Sequence, residues 1–415
     1  MTKNLRFFAM IAVLLVAIAA CSKEEGAEVI VPQPEQENSF RVSVGDALRS
    51  AEAILNSGDR ATRSVERKVK STEIYVAKPA TRSNDDVEVS FYLINYEDNA
   101  GFALVSTDKR ATPVYMYADE GNITTEAFEE VPPMAIFMEE AVANYEAEVA
   151  SSGTDGPIDI ILPPGMDGHM TTIDGIECYL NIDTTYVDKG PFTRTRWHQN
   201  SPYGDACPNL VAGCVPVAIG QIMAYHKHPA SFGNDMFDWD LMTQVPHFSS
   251  SSIPGATDVM NLLHKIGLFA NADYNFPSQE NDYEASTGVD AEMVPIIFLF
   301  WGYTCSDLEN YSADDIIIDL NYSRPVVVGG SRYNDNGKLV GHSWIIHGYH
   351  CVKRNLRYYY TTPPYDLYKV NTTPTYYFRH NIGWGSGYYD LYLLDTECLH
   401  PIDKDMITGI QPYID

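Results

Sequence analysis

The run Ala-Gly-Cys-Val-Pro-Val-Ala-Ile-Gly-Gln-Ile-Met at residues 212–223 constrains the fold of this chain more than any other stretch. Val217, Ile219, Ile222 and Met223 lay an apolar stripe along a helix, and Pro216 is tolerated in its first turn. Pro229 is expected to stop the helix. Cys214 then stands at the positive end of the helix, where a thiolate is favoured over a thiol. Gly213 lets the backbone approach closely there. Taken alone, a cysteine in an apolar run is more often a buried structural thiol than a nucleophile. Only other residues can reverse that weighting.

Far downstream, Val-Gly-His-Ser-Trp-Ile-Ile at residues 340–346 puts His342 at the head of an apolar, strand-like run. An imidazole beside a thiol holds the thiolate as an ion pair and then protonates a leaving amine. The bland alternative is a surface histidine at a strand end. His347 and His350 compete for the role, but His347 lies too far along the strand to share its mouth. Gly341 leaves access beside His342. Upstream, Trp-His-Gln-Asn-Ser-Pro-Tyr at 197–203 offers the Gln199 amide, which with the Cys214 N–H would form an oxyanion hole. Near the C-terminus, Arg-His-Asn-Ile-Gly-Trp-Gly-Ser-Gly at 379–387 offers Asn381 to orient the imidazole, and Trp384 to wall the site. Its bland reading is a glycine-rich turn around a packed aromatic.

The N-terminus carries Lys3 and Arg6 before an unbroken apolar stretch at residues 7–20, too short for an ordinary membrane span. It ends Ala-Ala-Cys-Ser, which resembles a bacterial lipoprotein signal with Cys21 as the lipidated residue. A plain secretory signal is the other reading. Ser22-Lys23-Glu24-Glu25 resembles the acidic tag that sends some bacterial lipoproteins to the cell surface. The balance of 28 basic against 56 acidic residues, net −28, argues against nucleic acid and against adsorption to an anionic membrane. The expected membrane contact is therefore only a lipid anchor at Cys21. Six further cysteines, at 178, 207, 214, 305, 351 and 398, include no Cys-x-x-Cys pair, so neither a zinc site nor a redox motif is expected.

With 415 residues the chain is long enough for two modules. Residues 1–20 read as signal peptide and 21–40, rich in Glu, Pro and Gln, as a tether. Residues 41–150 read as a small α+β module: a helix over 42–55, a hairpin of 87–96 and 102–106, a short strand at 114–117 and a helix over 134–149. Residues 151–173 read as a linker, or as an exposed loop. Residues 174–415 hold the cysteine helix and helical patterns at 259–269 and 313–320. The strands of this module follow, at 325–329, 343–348, 357–361 and 388–394. Helices first and strands later predicts an α+β fold with a cleft between a helical part and an antiparallel β part.

These motifs together resemble the streptopain family of cysteine proteases, in the papain clan. The likeness runs through Trp-x-Gln-x-x-Pro-Tyr (197–203), Cys-Pro (207–208) and Gly-Cys-Val-x-x-Ala-x-x-Gln-Ile-Met-x-Tyr-His-x-x-Pro (213–229). It continues in Gly-His-x-x-x-Ile-x-Gly-Tyr (341–349) and Asn-x-Gly-Trp-Gly (381–385). The run at 101–110 with Pro113-Val114 is similar to the core hairpin of that family's inhibitory prodomain. The resemblance implies a papain-like two-layer catalytic domain behind an inhibitory prodomain that covers the cleft. It implies Cys214 as nucleophile, His342 as general base and acid, Gln199 as oxyanion donor and Asn381 as ring-orienting residue. Protein or peptide substrates and the chain's own prodomain are the implied partners, and no cofactor or metal is implied. Two positions depart from the family pattern: Ile382, often aromatic, and His347, often Asp. Rival readings are a non-catalytic inhibitor or adhesin on the same fold, and another papain-clan acyl transfer such as an amidase or transglutaminase.

Overall fold

Ser43 opens the first helix, α1 (Val44–Leu55). Its Oγ accepts the Asp46 N–H at 3.1 Å and satisfies one of the free first-turn donors. Ala47, Ala51, Ile54 and Leu55 form the buried face of α1, at helical spacing. Four strands follow, β1 (Val69–Val76), β2 (Ser90–Tyr96), β3 (Phe102–Ser106) and β4 (Val114–Ala118), and then the long helix α2 (Pro132–Ser151). The β2–β3 hairpin turns through Asp98 and Asn99 at positive φ and closes at Gly101 (φ +105°), where a Cβ would strike the Ala118 carbonyl. The computed structural model describes residues 40–413 except 59–65, 78–87, 152–168, 174, 278–284, 334–336, 338, 386–388 and 396–403. The expected signal, tether and Cys21, most of the expected linker, and Cys398 lie outside the described residues.

The C-terminal part adds β5 (His169–Ile173) and β6 (Ile176–Lys189), then the helices α3 (Cys214–His226), α4 (Ala256–Phe269), α5 (Met293–Phe300) and α6 (Ala313–Asn321). The strands β7 (Val326–Tyr333), β8 (Leu339–Tyr360), β9 (Leu367–Asn381), β10 (Tyr389–Leu394) and β11 (Lys404–Ile407) follow. The expected layout of a helical part and an antiparallel β part is what the chain adopts. A single antiparallel sheet runs β1-β2-β3-β4-β10-β9-β8-β7-β11, so the N-terminal and C-terminal strands share it. The join is short: Tyr117 pairs with Tyr392, their rings stacked at 4.6 Å, and Met116 pairs with Leu393.

Of the two strands expected at 343–348 and 357–361, residues 343–348 and 357–360 belong to the single strand β8. The polar run Lys353-Arg354-Asn355 between them breaks the hydrophobic alternation. In the structure it is paired on both sides, by β6 and by β9, so its backbone hydrogen bonds are made without a buried face. Two register shifts interrupt the pairing with β9 in this stretch, one between Ile346 and Tyr349, at His347-Gly348, and one between Tyr358 and Tyr359.

Val326–Gly330 of β7 and Trp344–Val352 of β8 are buried on both faces. Val326, Val328, Trp344 and Ile346 enter the core shared with α1, α2 and the N-terminal strands. Val327 and Ile345 enter a second core, with Trp197, Ile219, Ile222, Leu263 and Phe298 of the helical part. Period-two alternation therefore sends neighbouring residues to different layers, which is why these strands read as continuous apolar runs.

Helix α2 lies against this sheet. A Cβ on Gly330 would sit 3.4 Å from both Ile136 and Trp344. Lys404 of β11 meets Glu140 of α2 at 2.5 Å, with side-chain exposures of only 12% and 4%, and its ammonium lies 4.5 Å over the Tyr311 ring. Arg332 meets Glu139 at 3.2 Å. Removing Glu140 would strand a buried ammonium. Glu140→Leu is therefore expected to destabilise the full chain by about 3 kcal/mol, read from urea midpoints at neutral pH. Glu140→Leu with Lys404→Met is expected to recover most of that loss.

Candidate active site

Helix α3 begins at Cys214 because Gly213, at φ +90° and ψ 153°, turns the chain into it. A Cβ at Gly213 would lie 3.1 Å from the Thr287 side chain, in a backbone region that costs any other residue strain. Val215, Val217, Ala218, Ile219, Ile222 and Met223 are buried and fix the helix in the second core. The helix ends at His226, earlier than Pro229 required. Lys227 adopts a left-handed conformation and donates its N–H to Met223 O.

His342 stands on β8 opposite Gly330, with Gly341 opposite Ser331. It is 6% exposed. Its Nε2–H donates to Ile382 O at 2.9 Å, which leaves Nδ1 for the hydrogen bond it shares with Cys214. The Trp384 ring meets the imidazole edge-on at 5.5 Å, and Trp344 lies at 6.1 Å. Burial alone pushes the Cys214 thiol up. The charge of His342, its hydrogen bond, and the N–H groups of Ser343 and Val215 outweigh burial and hold the thiol below its ordinary value.

Cys214, Gly341 and His342 line one cleft of about 500 Å³. Gly329 and Gly330 open its floor, and Asp273, Asp290 and Asp405 line it with carboxylates, so acidic peptides meet an unfavourable field there. The competing histidines have no such access. His347, 1% exposed, is held by Thr193 Oγ1 at 2.9 Å and Asp390 at 3.0 Å. His350, 0% exposed, is held by Asp188 at 2.8 Å and Ser57 Oγ at 3.0 Å.

Asn381 is placed differently from its expected role. Its amide donates to Thr195 O at 2.7 Å and to Gln221 Oε1 at 2.8 Å, and its Oδ1 accepts the Gly383 N–H at 3.3 Å. None of these bonds reaches His342. The chain turns at Gly383 (φ +65°), and the Ile382 carbonyl, not the Asn381 side chain, meets the imidazole. A backbone carbonyl leaves no side-chain signature; the glycine marking the turn was the only signal in the sequence. The Ile382 side chain is fully buried, so its departure from an aromatic leaves the ring contact intact.

Gln199 and Trp384 lie outside the described cleft lining. The Gln199 carbonyl accepts the Ala212 N–H at 2.8 Å, which ties its segment to the approach to Cys214. The Gln199 amide is half-buried. The N-terminal region, expected over the cleft, contributes no described residue to its lining. It packs instead through Ile136 behind the strand that carries His342. His198 and Gln221, both buried beside these groups, carried no functional signal of their own in the sequence.

The Peptidase C10 family model matches residues 197–393, and the Spi protease inhibitor model matches residues 39–144. No curated protein matches the chain. Among solved structures, a fragment of prointerpain A from Prevotella intermedia, in mutant form, is 16% identical. It covers 83% of this chain and is itself covered in full, with a TM-score of 0.49. Active wild-type interpain A cysteine protease from the same organism is 20% identical, with 54% of this chain and 94% of that chain covered and a TM-score of 0.38.

Two outcomes follow from the geometry. With His342→Ala, the pH at which iodoacetamide modifies Cys214 is expected to rise, and the rate near pH 6 to fall by roughly tenfold or more. Peptide mapping of the labelled cysteine checks it. His198 is pushed down to about 4, by burial and then by the neighbouring His247. Below its ordinary value near 6.5, the unfolded chain takes a proton that the folded chain refuses. The stability His198 contributes is present above that pH and is lost as pH falls towards about 4. His198→Phe is expected to lose less thermal midpoint between pH 7 and pH 5 than the parent chain.

Proposed function

Because the chain belongs to the peptidase C10 family and carries a Spi-inhibitor region ahead of its catalytic region, we propose that Cys214 is the nucleophile of this cysteine endopeptidase and His342 its base and acid. The observation that carries this assignment is the hydrogen bond between Cys214 and His342 at the wall of an open cleft, with the thiol held below its ordinary value. The thiolate attacks a peptide carbonyl. The oxyanion takes the Cys214 N–H and the Gln199 amide. His342 protonates the departing amine, and water then attacks the acyl-enzyme with His342 as base. Ile382 O keeps the imidazolium oriented throughout. Asn381 acts through that carbonyl by fixing the turn that presents it. Trp384 shields the His342 edge. Gly341 leaves room for substrate, since a methyl at its Cα would meet only Gly330 O at 3.6 Å and Ser331 Cβ at 3.8 Å.

The inhibitory region is assigned to 41–150, the cleavable segment to 151–173 and the catalytic domain to 174–415. The first 20 residues act as an export signal, with lipid attachment at Cys21 and the tether at 21–40, so the enzyme works outside the cytoplasm. Its substrates are proteins or peptides. No cofactor enters the mechanism.

Cys214→Ala is expected to reduce casein hydrolysis at least a thousandfold, and a thiol-directed epoxide to do the same to the parent chain. Hydrolysis that survives Cys214→Ala would sink the assignment, and amine incorporation without hydrolysis would move it to a transferase. For the anchor, Cys21→Ser is expected to abolish labelling by radioactive palmitate in expressing cells; label that persists places the lipid elsewhere.

A further inference from the structure

Gln221 lies two turns below Cys214 on the same helix and is fully buried. Its Oε1 accepts three hydrogen bonds from outside its helix: from Asn381 Nδ2 at 2.8 Å, Thr195 Oγ1 at 3.1 Å and the Trp197 N–H at 3.3 Å. Each donor belongs to a segment that ends in the reacting groups. Asn381 precedes Ile382, whose carbonyl holds His342. Thr195 and Trp197 lead into Gln199. The Gln221 Nε2, by contrast, is buried without a partner among the described residues. A leucine or methionine would fill the same space with no idle donor, so the part of this side chain in use is its oxygen.

We propose that Gln221 is a positioning residue for the peptidase reaction, one buried acceptor that locks the Cys214 helix, the carbonyl orienting His342 and the segment carrying Gln199 into a single register. Those groups come from three places far apart in the chain, and reaction requires their agreement to within a fraction of an ångström. Packing of apolar side chains sets the spacing of the layers. A saturated hydrogen-bond acceptor adds direction, because the donors must converge on one point.

The proposal rests on Cys214 and His342 being the reacting pair. The test uses the full-length chain, with parent and variants processed by the same added protease to constant activity. Gln221→Met keeps volume and removes the acceptor. It is expected to lower kcat by roughly tenfold to a hundredfold with KM within about twofold, and to move the pH profile of Cys214 alkylation towards that of an ordinary thiol. Gln221→Glu keeps an oxygen where three donors converge, and is expected to restore both readouts towards the parent. A Gln221→Met chain that loses thermal stability but keeps kcat and the alkylation profile overturns the proposal. So does Gln221→Glu behaving no better than Gln221→Met. Thr195→Val, which removes one donor and leaves Gln221 in place, covers the case in which Gln221→Met does not fold. The same two losses, smaller, are expected of it, and unchanged readouts overturn the proposal. Failure here is distinct from failure of the active-site assignment, since hydrolysis that is abolished by Cys214→Ala but indifferent to Gln221 rejects only the positioning role.

Discussion

A thiolate and an imidazolium can share a cleft wall only if each has fixed hydrogen bonds that water would otherwise supply. Cys214 takes its share from the start of a helix and from the Ser343 N–H. His342 takes its share from a carbonyl on a third element. The two groups sit on opposite layers, helix and sheet, so the pair exists only where those layers are pressed together in one alignment. The second core, with Ile345 and Val327 from the sheet against Ile219 and Leu263 from the helices, supplies the pressure. The buried polar cluster around Gln221 and Asn381 supplies the alignment. Apolar packing by itself tolerates small slides, whereas convergent hydrogen bonds do not.

The N-terminal region acts on the same sheet from its other face. Ile136 faces Gly330, the residue paired with His342, where a Cβ would lie 3.4 Å from both Ile136 and Trp344. Several buried polar groups need both regions to be satisfied: Lys404 with Glu140, Tyr377 donating to Val114 O at 3.0 Å, and His350 between Asp188 and Ser57. His380 is buried at this junction. Burial, together with the nearby Lys404 and His347, holds it well below the ordinary histidine value, and it accepts the Trp344 indole N–H at 2.7 Å.

The sequence was legible wherever side-chain pattern and local rules agreed. The α1 and α2 periods, the β2–β3 hairpin and the helix under Cys214 follow from apolar spacing, and the histidine that lines the cleft follows from its place beside Gly341. What was not legible was backbone chemistry and long-range pairing. Ile382 contributes a carbonyl, which every residue has, whereas the Asn381 side chain beside it carries a chemical signal in the sequence. The end of α3 depended on one left-handed residue, Lys227, rather than on the proline that announced itself. The 22-residue strand β8 looked like two because its middle is polar, and only its two neighbours explain how a polar middle stays extended.

The sheet join through Tyr117–Tyr392 and Met116–Leu393 has a consequence for the processed enzyme. Once the N-terminal region leaves, β10 becomes an edge strand carrying buried Tyr392 and Leu393 and a row of unpaired backbone groups. Such an edge is a template for adhesion between molecules. Under the proposed cleavage the sheet, which already has β1 at one edge, would exchange that edge for a new open one at β10. Because only two residue pairs are given up at the join, the exposed template stays short.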